Sequence, residues 1–202
     1  MERIVVTGST GFIGKKLVQE LIRRRFDVIC YSRDFSPVTC DRIYHLASPS
    51  TTEKINADTS GVMDVILDKT REALNICPEA YFINASTKGV EDIEFDRQGG
   101  YNVAKLCMEM YIQFKGIKHL NYRIPSVYGE GMHDDNFIKR CVDGRAFYPH
   151  TPEKMHYISH VDDVVECLID MKPLNIEAIT LGQIYEQFGI GRRRIHRPTP
   201  IT

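Results

Sequence analysis

Several things are missing from this chain of 202 residues, and each absence narrows what it can be. No two of its six cysteines (Cys30, Cys40, Cys77, Cys107, Cys141 and Cys167) form a Cys-x-x-Cys pair, so neither a zinc ligand set nor a redox pair is expected and the thiols read as free and packed. A formal net charge of -1 gives no electrostatic reason to expect nucleic acid or an anionic membrane as partner. No apolar run approaches the roughly 18 residues that a membrane span needs. Met1-Glu2-Arg3 leads directly into Ile4-Val5-Val6 without a charged-then-apolar leader, which predicts a cytoplasmic protein. Asn84-Ala85-Ser86 accordingly reads as a chance glycosylation sequon. Internal repeats and low-complexity blocks are also absent.

What remains is ordinary globular material, 43% hydrophobic and 26% charged, long enough for one domain with a small appendage. Short apolar runs at Arg3–Thr7, Phe26–Tyr31, Arg42–Ala47, Ala80–Ala85 and His119–Ile124 read as strands. Helical patterns at Gly14–Arg24, Val62–Leu74 and Tyr101–Phe114 fall between them. This alternation predicts an α/β fold, a doubly wound parallel sheet of the Rossmann-like kind. Beyond Gly129 the pattern loosens into helices at Asn136–Val142, Val161–Met171 and Leu181–Phe188. The expected division is a dinucleotide-binding and catalytic domain over residues 1–171, with part of 129–160 contributing to a substrate site. A minimal C-terminal substrate-binding appendage and tail would occupy residues 172–202.

The segment Thr7-Gly8-Ser9-Thr10-Gly11-Phe12-Ile13-Gly14 carries the first chemical signal. It stands between a predicted strand and a predicted helix, where free backbone N–H groups and the helix dipole make an anion site. Gly8 permits a tight turn, Gly11 lets the backbone approach a pyrophosphate, and Gly14 lets the helix pack close to the strand. The competing reading is a glycine-rich turn with no ligand.

Tyr101 and Lys105 supply the second signal. Four residues apart on a helix, they project from one face. A free tyrosine titrates near ~10, and a neighbouring ammonium is expected to favour the phenolate. The strand end Ala85-Ser86-Thr87 adds two hydroxyls. Tyr-x-x-x-Lys alone also arises by chance on many helices.

The glycine spacing, with Thr7 before it, resembles the extended short-chain dehydrogenase/reductase family of NAD(P)-dependent nucleotide-sugar epimerases and dehydratases. Further segments in the same order support the resemblance: Tyr44-His45-Leu46-Ala47, Tyr101-Asn102-Val103-Ala104-Lys105, Arg123-Ile124-Pro125-Ser126-Val127-Tyr128-Gly129 and His160-Val161-Asp162-Asp163. The likeness covers most of residues 1–170, in a chain short for the family. It implies that Tyr101 exchanges a proton with a substrate hydroxyl or carbonyl while hydride moves to or from nicotinamide. Lys105 assists, and Thr87 bonds the same oxygen, with Ser86 as the near alternative. It also implies cofactor contacts from Thr7, Gly8, Ser9, Thr10, Gly11, Phe12, Ile13 and Gly14. The rest of that set is Ser32, Arg33, Leu46, Ala47, Ser48, Ala85, Tyr101, Lys105, Ile124, Pro125 and Val127. No metal is implied.

The family's acidic ribose-reading position falls on Ser32, and Ser32-Arg33 suits a 2′-phosphate, so NADP is expected over NAD. In the alternative, Arg33 is a solvated charge and Asp34 or Asp41 reads the ribose of NAD. Arg42 is a further, weaker phosphate candidate. Thr87 is followed by Lys88 and Gly89, where dehydratases and decarboxylases of the family carry acids. That points to 4-epimerisation or keto-sugar reduction on a nucleotide sugar. Glu91, Asp92, Glu94 and Asp96 are possible substitute acids, though loop charges are usually solvated. The family's dimer helices correspond to residues 62–74 and 101–114, which suggests a homodimer, unless both apolar faces simply cover the sheet. Two other readings stay open: a non-catalytic NADP-binding sensor or scaffold, and a reductase of a small non-sugar carbonyl.

Overall fold

A computed structural model of the chain describes residues 1–31, 35–49, 59–91, 99–143, 145, 153 and 155–188. β1 (Arg3–Thr7), β2 (Asp27–Tyr31), β3 (Arg42–His45), β4 (Tyr81–Thr87) and β5 (His119–Ile124) form one sheet in the order β2-β1-β3-β4-β5. Every pair in it is parallel. The helices described are α1 (Phe12–Arg23), α2 (Thr59–Leu74), α3 (Gly99–Phe114), α4 (Phe137–Val142), α5 (Val161–Asp170) and α6 (Leu181–Gln187). The expected α/β, doubly wound architecture is what the chain adopts.

β1 shows why. Ile4, Val5 and Val6 are all fully buried, because helices cover both faces of the sheet and leave no strand side for polar residues. Ile4, Val6, Tyr44 and Ile83 pack with Leu17 and Leu21 of α1 and Val164, Val165 and Leu168 of α5. Val5, Ile43 and Phe82 face the other way, against Val62 and Ile66 of α2 and Ala104, Met108 and Ile112 of α3. Burying one such side chain contributes roughly 2 kcal/mol, so the layers hold each other in place.

Apolar residues stand on both sides of α3, with Ala104, Met108 and Ile112 against the sheet. Met110 is 63% exposed and Phe114 is 86% exposed, while buried Lys105 and Glu109 share the sheet side with Ala104, Met108 and Ile112. On α2 the residues divide: Val62 and Ile66 are buried and Val65 is exposed.

Among the described residues no strand flanks β2, although the doubly wound order usually continues there. Phe35 and Val38 tuck under the sheet instead, and the Val38 N–H donates to the Ile76 carbonyl at 3.0 Å. Among the described residues β2 is therefore an edge strand.

A second sheet was not legible in the sequence. β6 (Ser126–Tyr128) pairs parallel with β7 (Met155–His160), which pairs antiparallel with β8 (Glu177–Thr180). Ile158 and Ile179 close a small core with Ile138 and Cys141 of α4 and Leu181 and Ile184 of α6. Asn136 caps α4 by accepting from the Ile138 and Lys139 N–H groups, and its amide donates to the Val127 carbonyl at 2.7 Å, which ties α4 to β6. Thr180 and Gln183 form a capping box at the start of α6. All six cysteines are free, and among the described residues no group of side chains could hold a metal ion. No described helix is long and apolar enough to cross a membrane.

Candidate active site

The chain leaves β1 for β2 on one side and then crosses back to β3 on the other. This places the topological switch point at the C-terminal end of β1, where such sheets take their ligands. Two loops meet there. Gly8 has φ 72°, a left-handed conformation that suits glycine, and a Cβ on it would lie 2.7 Å from the Ala47 nitrogen. A Cβ on Gly14 would sit 2.1 Å from the Gly8 carbonyl oxygen, so only glycine lets α1 approach the loop this closely. The Gly8 and Ser9 N–H groups donate to the Tyr31 carbonyl at 2.9 and 3.4 Å, fixing the turn to the end of β2. Gly11 caps α1 without a side-chain partner for the first-turn N–H groups. No side chain competes there for an anion, so the loop fits a pyrophosphate.

The other expected cofactor residues divide. Leu46 and Ala47 lie against Gly8, and the Leu46 N–H donates to the Thr7 carbonyl at 3.1 Å. Ile124 and Val127, either side of Pro125, bury their side chains in the apolar core with Val161 and Val164, so what they can offer a ligand is backbone. Ser32, Arg33 and Asp34 lie outside the described residues. Asp41 is no ribose reader: it accepts from the Arg3 N–H at 2.7 Å, at the N-terminal end of the strands. Arg42 is at that same end, ion-paired with Glu2 at 2.7 Å and donating to the Tyr44 hydroxyl at 2.8 Å, which removes it as a phosphate partner.

α3 brings Tyr101 and Lys105 to the end of β4. The Lys105 Nζ donates to the Ala85 carbonyl at 2.8 Å and stands 5.7 Å from the centre of the Tyr101 ring. Burial pushes the Lys105 amine down to about 7, although the Glu109 carboxylate opposes the shift. Burial pushes the Tyr101 phenol up to about 12, with the Ser48 hydroxyl working slightly against it. The expectation that Lys105 would hold Tyr101 toward phenolate is therefore corrected. In this arrangement desolvation is the main cause of both shifts, and no contribution from Lys105 offsets it at Tyr101.

The two candidate hydroxyls differ. Ser86 is 5% exposed and shares the parity of Phe82, which puts it on the sheet face under α3. Thr87 is more open, and its Oγ1 accepts from the Gly89 N–H at 3.3 Å. That bond orients the oxygen and leaves its proton free to donate. A Cβ on Gly89 would meet the Asn102 carboxamide at 2.6 Å, so Asn102 fills the space beside the turn. Glu91 is engaged: Lys88 bonds it, Arg123 lies 3.7 Å away, and both hold its carboxyl below the usual range, Lys88 the more strongly. Asp92, Glu94 and Asp96 lie outside the described residues.

Sequence reasoning gave no role to the polar groups beneath α2 and α3. His45 is buried between Thr7 and Thr70, the Asn84 amide donates to the Asn121 carboxamide oxygen at 2.8 Å, and Arg123 forms a bidentate pair with buried Glu109. The available signal was polar residues ending strands that are otherwise apolar.

A parallel doubly wound sheet, a glycine-spaced loop at its switch point that leaves the α1 N-terminus without a side-chain cap, and a half-buried Tyr101 with buried Lys105 at the end of β4 define an enzyme of the extended short-chain dehydrogenase/reductase type. The sequence profile of the NAD dependent epimerase/dehydratase family matches residues 4–172, and the chain belongs to that family. It is 26% identical to UDP-glucuronic acid decarboxylase 3 of Arabidopsis thaliana over 86% of this chain and 69% of that one. Its fold is that of the UDP-glucose 4-epimerase of Thermotoga maritima solved with UDP-glucose, with a TM-score of 0.73 and 19% identity over 97% of this chain and 85% of that one. RMD from Pseudomonas aeruginosa, solved with NADPH, gives a TM-score of 0.70 and 17% identity over 92% of this chain and 80% of the other.

Proposed function

We propose that the protein is an NAD(P)-dependent oxidoreductase acting at a sugar carbon of a nucleotide sugar, by 4-epimerisation or keto-sugar reduction, with NADP preferred. The observation that supports this is the placement of Lys105 on the Ala85 carbonyl, 5.7 Å from the Tyr101 ring centre, at the end of β4 where Ser86 and Thr87 follow. A bound nicotinamide supplies or accepts the hydride. The chain's own residues handle the proton. Tyr101, held neutral by burial, donates its phenolic proton to the substrate oxygen in reduction and recovers it in the reverse direction. Thr87, oriented by Gly89, donates a hydrogen bond to that same oxygen. Lys105, anchored on the Ala85 carbonyl at 2.8 Å, would bind the ribose hydroxyls of the nicotinamide half. Decarboxylation and dehydration fit less well, because the turn after Thr87 holds no acid, Asn102 occupies the space at Gly89, and Glu91 is paired.

We assign the NADP preference to Ser32 and Arg33 by their place after β2. The test is titration of NADPH and NADH, followed by turnover with UDP-, GDP- and dTDP-sugars. Tyr101→Phe is expected to cut turnover at least about a hundred-fold, the lower range for a general acid, with NADPH binding nearly unchanged. Turnover surviving that change would end the mechanism. Arg33→Ala is expected to weaken NADPH and spare NADH, and equal weakening of both would end the NADP assignment. NADPH binding without any nucleotide-sugar response would favour a small-carbonyl reductase or a silent sensor.

The homodimer belongs to the same proposal. Val65 of α2 and Met110 and Phe114 of α3 expose apolar surface on the helices that the family pairs. A dimer mass in light scattering, reduced to monomer by Phe114→Glu, is expected. A monomeric wild type would remove this part.

A further inference from the structure

We infer that His45 is a positioning residue for the cofactor loop, locked as the neutral Nε2–H tautomer in a one-directional hydrogen-bond chain that runs from α2 to Ala47 beside Gly8. The inference rests on the dinucleotide-binding reading above. The direction follows from counting protons. The Thr70 hydroxyl donates to the Ile66 carbonyl at 2.7 Å, and a carbonyl has no proton to return. Thr70 Oγ1, 3.3 Å from His45 Nε2, must then accept, so Nε2 carries the ring proton. A neutral ring has only one, so Nδ1 accepts from the Thr7 hydroxyl at 2.8 Å. Thr7 Oγ1 in turn accepts from the Ala47 N–H at 3.4 Å. Each donor and acceptor in the chain is used, and no alternative tautomer uses them all.

The chain joins three elements at one level of the sheet. Thr7 ends β1, His45 ends β3, and Thr70 lies on α2. Its terminus, the Ala47 nitrogen, belongs to the 46–47 peptide that a Gly8 side chain would strike. His45 thereby sets the height of the 46–47 backbone against the phosphate loop. A second ring proton would turn Nδ1 into a donor toward Thr7, and the Thr7 proton would lose its acceptor. The surroundings oppose that state. His45 is 2% exposed, the Phe82 ring lies against it at 5.6 Å, Asn84 is its strand neighbour, and Lys105 of α3 is the charged group that acts on it. Burial chiefly, then Lys105, pushes the imidazole down to about 3.

The test is long-range 1H–15N correlation on 15N-histidine-labelled wild-type protein, with His45→Phe and His45→Asn titrated against NADPH. We expect one histidine of the seven to show the Nε2–H pattern unchanged between about pH 5 and pH 9, and to vanish in either variant. His45→Phe is expected to weaken NADPH about ten-fold, while His45→Asn, which keeps an acceptor for Thr7, stays within about threefold. An Nδ1–H pattern or a titrating ring would overturn the assignment even if neither variant folds. Equal affinities for the two variants would overturn the positioning role. Wild-type protein that binds neither NADPH nor NADH would instead remove the functional reading, and the positioning role with it.

Discussion

The two faces of the central sheet are built on different principles. Toward α1 and α5 the sheet is apolar until Thr87 ends β4: Ile4, Val6, Tyr44, Ile83, Tyr122 and Ile124 lie in one core, and the Tyr44 and Tyr122 hydroxyls escape burial penalty by donating to the Leu168 and Cys167 carbonyls at 3.2 and 3.0 Å. Toward α2 and α3 the apolar residues stop partway. Val5, Ile43 and Phe82 give way to Thr7, His45, Asn84 and Ser86, met by Thr70, Lys105 and Glu109 from the helices. The first face serves the site through backbone shape, since it lets α1 close on the glycine loop. The second serves it through buried side-chain chemistry. A site assembled this way has one wall that tolerates no added atom and another built of buried polar groups, in which the Asn84 Oδ1 and the Ser86 hydroxyl have no hydrogen-bond partner among the described residues.

Adding one carbon to the first wall is expected to have the largest effect. The Cβ of Gly14→Ala would fall 2.1 Å from the Gly8 carbonyl oxygen and 3.0 Å from the Ser9 Cα, both backbone atoms that cannot swing aside. Either α1 lifts off the sheet or the loop changes shape. The cost is expected to be about 3 kcal/mol or more, at or above the upper end for overpacking. Urea denaturation should show that loss and isothermal titration the disappearance of NADPH binding. Gly11→Ala is the milder partner, because its Cβ would meet the Gly8 oxygen at 3.2 Å. If Gly14→Ala bound NADPH like wild type, the shape-based reading of this wall would fail.

The same contrast explains which features could be read before the structure. The first wall depends on local spacing, so Gly8, Gly11 and Gly14 announced both the turn and the close helix. The five parallel strands were legible because burial on both faces makes short apolar runs. The second wall depends on pairings between residues far apart in the chain. Nothing near His45 in sequence identifies Thr70, and nothing near Glu109 identifies Arg123. On α3 apolar residues occupy both sides, Ala104, Met108 and Ile112 inside and Met110 and Phe114 outside, so the burial of Lys105 and Glu109 could not be read from the pattern. The second sheet stayed hidden for another reason. β6 has three residues, β7 buries only Ile158 and Ser159 in succession, and β8 lies in the segment that reads as a minimal substrate-binding appendage. None of the three shows the alternation by which strands are found.

Lys105 gives the sharpest test of the second wall, because its predicted effects on stability and activity have opposite signs. The amine is fully within the protein, and its native value of about 7 lies below the ordinary 10.5. At about 1.4 kcal/mol per unit, the buried charge opposes folding by several kcal/mol. The cost is complete below about pH 7, where native and unfolded states are both protonated. It shrinks as pH rises toward 10.5, because there the unfolded chain holds a proton that the native one has released. Lys105→Met removes the charge and also the bond to the Ala85 carbonyl, so a net gain of about 1–3 kcal/mol is expected at pH 6. That gain should narrow steadily by pH 9, and turnover should be lost throughout. Denaturation curves at the two pH values decide it. A variant less stable than wild type at pH 6 would mean that Lys105 is a structural pin, with its charge compensated inside the fold. A more stable but inactive variant would mean that the second wall keeps a costly charge for the sake of its chemistry.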